Sequence, residues 1–445
     1  MNVRSGGWAA RLARVVSWAI VPAVLGLGVV NSKRIVGPGE WPVTLFLAAG
    51  LPAAILLTVV TWWSGARPSP TARRVWVLSS ASFAALLAWA LASSFFHEVY
   101  YSLPSEKVFD VPVAPLFRWL PLVSAAIAIC CALCCAAATP ARTRGIPAQV
   151  TAVAVAILAV GAIGQYRSLD DEIPGNRLYS GLGGAAVMSV PLLIATAILL
   201  AGLRTTERRR WLWGTGVAVG VVMIVQTGSR AGLVTLAAYA ALVVFDLLRS
   251  GRNRRRTVLV AVGVAAVTAV TLVSRPELHR LLLFSDPWRE RNFFSAMSAL
   301  TSSWWAPLIG QGHGSLWPWF FTESGQVPVS YDDMAVSPWG PLLPAPHSVY
   351  LWALVELGIV GLGLLLLVVG ALLWSWWKAA PDSPRRILLA ALVASLFSFA
   401  TDTFLVSNFP ASMLWWYLLF VGTSSVSGTA HRPPSPALPE APAPS

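Results

Sequence analysis

The chain has 445 residues, of which 56% are apolar and only 11% are charged, and its mean hydropathy is +0.67. A soluble globular protein carries about 25% charged residues, so the composition excludes the water-soluble classes and predicts a protein whose solvent is largely lipid. The formal net charge of +13 comes almost entirely from arginine. In a membrane protein such an excess indicates basic cytoplasmic loops rather than nucleic-acid binding.

Apolar runs long enough to cross a bilayer recur along the chain and are separated by polar segments. They predict an all-α polytopic membrane protein with about 12 transmembrane helices. The predicted spans are 15–30, 42–63, 75–96, 117–138, 147–165, 178–203, 211–226, 231–248, 257–274, 347–374, 387–403 and 411–426. The first lacks a small-residue cleavage site and more spans follow it, so we predict an uncleaved anchor.

These runs divide the chain into four parts. Helices 1–9 occupy residues 1–274, a large external loop occupies 275–346, helices 10–12 occupy 347–426, and 427–445 form a Pro-rich cytoplasmic tail that we predict to be disordered. With the N-terminus in the cytoplasm and strict alternation, about two thirds of the basic residues lie on the cytoplasmic side and most acidic residues on the other. This sorting predicts a multi-pass protein of the cytoplasmic (inner) membrane with both termini in the cytoplasm.

The cysteines, Cys130, Cys131, Cys134 and Cys135, all fall within the fourth span. Cys131 and Cys134 have the spacing of a metal or redox pair, but no histidine or acid lies near them in sequence. We predict that all four are small apolar helix residues.

The loop 275–346 contains six tryptophans and several phenylalanines, so its composition indicates an ordered segment rather than a disordered one. Leu281–Leu283 and Phe293–Leu300 are predicted to form short helices that lie on the membrane surface or cap the bundle.

Arginines on the external side run against the charge rule and are candidate anion ligands. Arg230 lies in a tight turn, Gln226-Thr-Gly-Ser-Arg-Ala-Gly232, at the start of a span. It either reaches outer headgroups or joins the amides of that helix start to bind a phosphate. Arg177 is predicted at the start of the sixth span, where it pairs with the acids before it or binds an anion. Arg289 and Arg291 flank Glu290 in the loop, and each either reaches an anion or is solvated.

His347 opens the tenth span after Pro344-Ala-Pro346. At a helix start the dipole disfavours a cationic imidazole, so His347 is a candidate general base, with capping or packing as the alternative. Glu356 lies about two turns deeper and either orients other groups or pairs with an arginine.

Gly310-Gln-Gly-His-Gly314 has the glycine content of a phosphate loop but lacks the lysine and the strand-to-helix context of one. We predict a tight turn that lets backbone approach backbone, with His313 as a weaker second base candidate. The external acidic pairs Asp170–Asp171 and Asp332–Asp333 have the oxygen ligands that a divalent cation needs, but loop acids are more often solvated, so we predict no metal.

Four stretches together resemble the O-antigen ligase and O-antigen polymerase family of bacterial membrane glycosyltransferases. Asn176-Arg-Leu-Tyr-Ser-Gly181 is similar to its Arg-Leu-x-x-Gly segment, and Thr227-Gly-Ser-Arg-Ala-Gly232 to its Ser-Arg turn. Pro307–Gly314 is similar to its Pro-x-x-Gly-x-Gly signature, and Ala345–Gly361 to its His-Asn-x-x-Leu…Glu-x-Gly-x-x-Gly span. The order of the four also agrees. The chain departs from the pattern at Ser348, where the family usually has Asn.

The resemblance implies a GT-C-like fold and metal-independent, inverting transfer of a glycan from an undecaprenyl-type diphosphate to an acceptor glycan or glycolipid at the external membrane face, with no cofactor. The residues suit that chemistry. Arg230, Arg177 and either Arg289 or Arg291 would bind the diphosphate, and His347 would act as the base. Glu356 and His313 would support the site.

Two other classes fit parts of the pattern. A transporter or flippase of lipid-linked sugars would also have many spans, but it tends to show internal repeats rather than one large loop. A non-catalytic envelope assembly protein is the second. A related enzyme class, the peptidoglycan polymerases that use a loop acid, would need Asp286, Glu323, Asp332 or Asp333 in that role. The sequence does not separate ligase from polymerase.

Overall fold

The computed structural model describes residues 6–29, 41–63, 68–95, 115–139, 145–170, 178, 180–206, 209–250, 263, 266, 286–317, 335–343, 345–381 and 383–424. The helices in these ranges are α1 (Gly6–Val29), α2 (Trp41–Trp63), α3 (Pro70–Ser93), α4 (Pro115–Ala138), α5 (Ala148–Asp170), α6 (Ala185–Thr205), α7 (Arg210–Gln226), α8 (Arg230–Arg249), α9 (Pro287–Leu300), α10 (Ala306–Ile309), α11 (Val349–Lys378), α12 (Pro384–Phe399), α13 (Phe404–Ser407) and α14 (Phe409–Ser424). An antiparallel hairpin pairs β1 (Ala335–Ser337) with β2 (Gly340–Leu342).

Eleven of the predicted spans lie on helices, and the ninth, 257–274, falls outside the described residues apart from 263 and 266. Within the described part, seven helices are long and apolar enough to cross a membrane, namely α1, α3, α4, α5, α6, α8 and α11. The mostly helical membrane fold is therefore supported, while the number of 12 spans and the single large external loop stay predictions. The tail 427–445 also lies outside the described residues.

Two helices form the centre of the bundle. Nearly every residue of α6 and α14 is buried, because both are apolar on all sides and need neighbours around the whole helix. In α14 the side chains of Trp415, Trp416 and Phe420 are fully buried. The ring of Trp416 lies 4.8 Å from that of Phe83 in α3, so the outer helices pack against aromatic rings of the central one.

Amino and carboxyl ends of different helices meet at one end of the bundle, which we call the site end. Helices α4, α6, α8, α11 and α14 begin there. The Gly181 amide, just before α6, donates to the Gly28 carbonyl at the carboxyl end of α1 (3.0 Å). The hydroxyl of Ser93, the last residue of α3, accepts from the His313 amide (3.1 Å). The carboxyl end of α1 therefore lies beside the chain that leads into α6, and the carboxyl end of α3 beside the loop segment at His313.

The opposite end of the bundle holds a buried ion pair. Arg386, near the start of α12, is 1% exposed, and its Nε lies 2.7 Å from Oδ1 of Asp246 in α8. Its guanidinium also lies over the ring of Trp376 and donates to the Ala379 carbonyl (2.9 Å). A buried charge needs such partners, so this pair ties α8, α11 and α12 together far from the site end.

The sixth span begins later than predicted. The sequence predicts a helix from residue 178, but α6 starts at Ala185 after an isolated bridge between Ser180 and Gly183. Gly183 has φ +147°, a conformation that glycine adopts without steric cost. The predicted start of this span at residue 178 is therefore wrong, and Arg177, which the sequence placed at that start, lies outside the described residues.

The tenth span is not the single straight helix of 347–374. α11 extends to Lys378 and is interrupted at Gly358 (φ 68°, ψ −169°), a backbone conformation essentially restricted to glycine. The Leu357 carbonyl, which the break removes from the helical pattern, accepts from the indole of Trp89 (2.9 Å). The helix after the break, 359–378, is still as long as the roughly 20 residues that a bilayer requires.

The described part of the predicted external loop packs on the first turns of α11. α9 begins at the N-cap Asp286 and the helix-initiating Pro287, and the predicted helix Phe293–Leu300 lies within it. The other predicted helix, Leu281–Leu283, falls outside the described residues. The apolar cluster beneath α9 contains Ala296, Ala299, Leu300, Leu316, Trp317, Leu342 and Val355.

Candidate functional site

Arg230 is the first residue of α8 and follows a short capped turn. The C-cap of α7 is Thr227, Gly228 has φ +60°, and the hydroxyl of Ser229 accepts from the Gly232 amide (3.1 Å). The predicted tight turn between two helices is confirmed. Arg230 is half-buried and stands at the positive end of the helix dipole.

The carboxyl end of α12 joins the starts of α8 and α11. Thr235, in the second turn of α8, shares a hydrogen bond with Ser398 (2.9 Å). Tyr350, in the first turn of α11, donates from its hydroxyl to the Leu396 carbonyl (3.2 Å). The structure therefore brings the helix starts that carry Arg230 and His347 to the same end of one helix, although about 115 residues separate them in sequence.

His347 stands just outside α11 and is half-buried, with φ +52°. The next residue, Ser348, is the N-cap of the helix, and its hydroxyl accepts from the Leu351 amide (3.2 Å). Asn and Ser are both strong N-cap residues. Ser348 therefore fills the capping role that an asparagine after the histidine would fill, which gives a physical reason for the departure from the family pattern.

Glu356 is fully buried, and backbone amides of the loop hold its carboxylate. Oε2 accepts from the Gly314 amide (2.9 Å), while Oε1 accepts from the amides of Leu316 (3.2 Å) and Trp317 (3.3 Å). Three backbone amides of the loop therefore hydrogen-bond to the two carboxylate oxygens. Glu356 therefore binds the loop to α11; of the two alternatives given by the sequence, the structure favours the orienting one.

Backbone packing places the same loop segment against α11. The amides of Gln311 and Gly312 donate to the carbonyls of Val355 and Glu356 (2.9 Å each), and Gly310 has φ +82°. The prediction of a tight turn that lets backbone approach backbone is confirmed. No phosphate-binding role is needed to explain these glycines.

His313 lies inside this packed region with no exposed surface. The indole nitrogen of Trp352 lies 3.3 Å from Nδ1. Nε2 lies 2.9 Å from the carbonyl of Arg118 in α4. Nδ1 is also 3.4 Å from Oε2 of Glu356. These contacts suit a supporting residue better than the second base that the sequence offered.

The loop arginines are exposed on α9. The guanidinium of Arg289 pairs with Asp286 (3.3 Å), and that of Arg291 lies over the ring of Trp288 (5.7 Å). The same helix carries Asn292, a buried residue that sequence reasoning missed. Its side chain reaches the segment just before His347, so α9 lies beside that histidine.

Arg177 lies outside the described residues. The amide of the next residue, Leu178, donates to the Gln226 carbonyl (3.4 Å), beside the Arg230 turn. Among the described residues, no group of three or more His, Cys, Asp or Glu side chains is arranged to hold a metal ion. Asp402, a half-buried acid just after α12, is a further site-end residue that the sequence analysis did not single out.

Comparison with known families identifies this region. Residues 215–366 match the family model described as O-antigen ligase, and that stretch includes the Arg230 turn, the loop and the first turns of α11. A search of curated proteins finds no match. The family match confirms the predicted resemblance and supports a glycan-transfer role at a membrane. The part of the chain that carries the candidate site, residues 215–366, is thus similar to O-antigen ligase.

Proposed function

We propose that the protein transfers a glycan from an undecaprenyl-type diphosphate to an acceptor glycan or glycolipid at the outer face of the cytoplasmic membrane, with inversion and without a metal. The observation that carries the proposal is the convergence of two helix starts, one bearing Arg230 and one following His347, at the end of α12. The family match over the same residues supports it.

The cationic part of this site suits the leaving group. As the bond from the anomeric carbon to the diphosphate oxygen breaks, negative charge grows on the diphosphate, and a guanidinium stabilises it with two parallel hydrogen bonds. Arg230 is the principal residue for this role, and the start of α8 adds its amides. Arg177 and either Arg289 or Arg291 are the further ligands that we propose.

His347 is the proposed general base for the acceptor hydroxyl. The acceptor hydroxyl attacks the anomeric carbon from the face opposite the diphosphate, so the new C–O bond forms as the old one breaks and the configuration inverts. The proton of that hydroxyl passes to His347. The products are the extended glycan and the polyprenyl diphosphate, and the charges balance without a cofactor.

The packing around Glu356 supports the catalytic end of α11. Glu356 and His313 hold the loop on the first two turns of that helix, and His347 immediately precedes its cap. We therefore assign these two residues a supporting role and give neither a contact with substrate.

The test uses the purified full-length protein in lipid vesicles. The donor is lipid-linked glycan extracted from a strain of the source bacterium that lacks the protein, and the acceptor fraction comes from the same strain. We expect transfer that an excess of EDTA leaves unchanged. Translocation of the donor across the vesicle without transfer would instead identify a transporter, and complete loss of transfer with EDTA would contradict the metal-independent mechanism.

A further inference from the structure

The backbone at His347 is held in a conformation that most residues avoid. Its φ of +52° is left-handed, and within the described part of the chain only Arg209 is a second non-glycine residue with positive φ. A non-glycine residue in this region is sterically strained and persists where its surroundings determine it. The contacts on either side of His347 therefore hold its backbone in this conformation.

Asn292 provides the contacts on the N-terminal side. Its Oδ1 accepts from the Leu343 amide (3.0 Å) and from the indole of Trp317 (3.0 Å). Its Nδ2 donates to the carbonyl of Pro346 (3.5 Å), one peptide bond from His347. The residue is 2% exposed, so these bonds form away from water, where an unmade bond costs the most.

The C-terminal side is fixed by the helix itself. Ser348 caps α11, and Tyr350 bonds to α12. The segment 343–350 is therefore attached to α9 before His347 and to α11 and α12 after it. Asn292 is the one polar side chain of α9 in the described residues with a hydrogen bond to this segment, and α9 also carries Arg289 and Arg291.

We propose that Asn292 is a positioning residue for His347: by bonding both Leu343 and Pro346, it fixes the backbone that aims the imidazole at the acceptor hydroxyl. The proposal rests on the proposed function, in which His347 is the base. An asparagine suits the task because it accepts and donates through one side chain. A leucine or alanine would leave the Leu343 amide without this acceptor.

The first test needs no substrate. Diethyl pyrocarbonate acylates accessible imidazoles, and mass spectrometry gives the rate at each histidine of the full-length protein in detergent. We expect Asn292→Ala to raise the labelling rate of His347 several-fold while the buried His313, as an internal reference, stays unlabelled. Ser295→Ala, which truncates another buried polar residue of α9, is the matched control and should leave the rate unchanged. An unchanged His347 rate in Asn292→Ala would overturn the proposal.

The second test separates positioning from general stability. With the donor extract described above, Asn292→Ala should lower kcat by about 10- to 100-fold, since a shift of about 1 Å in a reacting group costs up to about 100-fold. The KM for the donor should change much less than kcat, because Arg230, the principal ligand proposed for the diphosphate, lies on α8. Asn292→Asp keeps both acceptor bonds but places an oxygen against the Pro346 carbonyl, so it should not restore the wild-type kcat.

A double-mutant cycle decides whether the effect passes through His347. Once His347→Ala has removed the base, the further change Asn292→Ala should lower the residual rate no further. A loss in the double variant equal to the product of the two single losses would contradict the proposal and indicate an independent structural effect. If His347→Ala itself retains transfer, the base assignment fails, and the labelling experiment still decides whether Asn292 positions His347.

Discussion

Gly310 and Gly358 pack backbone against backbone, which fixes the loop to the break in α11. A Cβ added to Gly358 would lie 2.6 Å from the Gly310 amide nitrogen, and one added to Gly310 would overlap the Glu356 carbonyl group. Both residues also have positive φ. The close approach allows the amides of the loop to reach the carboxylate of Glu356, so the supporting interactions of the site depend on two positions without side chains.

We expect Gly358→Ala to destabilise the protein by at least about 2 kcal/mol, because it combines an unfavourable φ with a backbone overlap. The measurement is the thermal midpoint of the purified protein in detergent. Gly370→Ala is the matched control in the same helix, since a Cβ there has no atom within 4 Å, and it should change the midpoint little. Equal midpoints for the two variants would contradict the packing described here.

Glu356→Gln should weaken the attachment of the loop. A glutamine places an NH2 group against either the Gly314 amide or those of Leu316 and Trp317, so at least one buried amide loses its acceptor, at about 1–3 kcal/mol each. We expect a lower thermal midpoint and faster proteolysis of the loop. The exposed Glu290 offers the control, and Glu290→Gln should behave as the wild type. A Glu356→Gln protein as stable as that control would refute the supporting role.

His347→Ala is expected to reduce transfer by about 100-fold or more, as the loss of a general base does. Donor should still bind and should accumulate in cells. His347→Asn is the sharper variant, because asparagine tolerates the left-handed backbone but cannot serve as the base. It should be as inactive as the alanine variant while keeping the wild-type thermal midpoint. Near-wild-type transfer by either variant would remove His347 from the mechanism.

Arg230→Ala should weaken donor binding as well as turnover, because the guanidinium is proposed to hold the diphosphate. Binding of undecaprenyl diphosphate in vesicles measures the first effect directly. Arg230→Lys should recover only part of the donor binding, since the ammonium of lysine cannot form the two parallel hydrogen bonds of a guanidinium. Arg210 also opens a helix, at the other end of α7, and Arg210→Ala should bind like the wild type. Unchanged binding by Arg230→Ala would exclude Arg230 as a ligand of the diphosphate.

The topology is tested with reporter fusions. We expect a reporter after Arg256 or after Ser445 to be cytoplasmic, and one inserted near Gly325 to be external, because this arrangement places most basic residues inside. An external C-terminus would change the number of spans and reverse the side on which Arg230 and His347 are proposed to act.

The sequence predicted the helices well because hydropathy is a local property: a run of about 20 apolar residues must form a helix in lipid, whatever its neighbours. The turn before Arg230 and the histidine before a helix start were likewise visible as short patterns. The predicted start of the sixth span was wrong because hydropathy does not register the glycines of 181–184, which turn the chain before α6 begins at Ala185.

By itself, the sequence determined that the protein lies largely in lipid and where most of its helices are. It also showed the residue types that resemble those of a glycan-transfer site. Only the tertiary structure decided which of them meet. The convergence of the starts of α8 and α11 on α12, the carboxylate of Glu356 among loop amides, and the bonds of Asn292 to Leu343 and Pro346 all join residues far apart in sequence. Such contacts depend on how whole helices pack, and a buried polar side chain shows its role only when its hydrogen-bond partners are known.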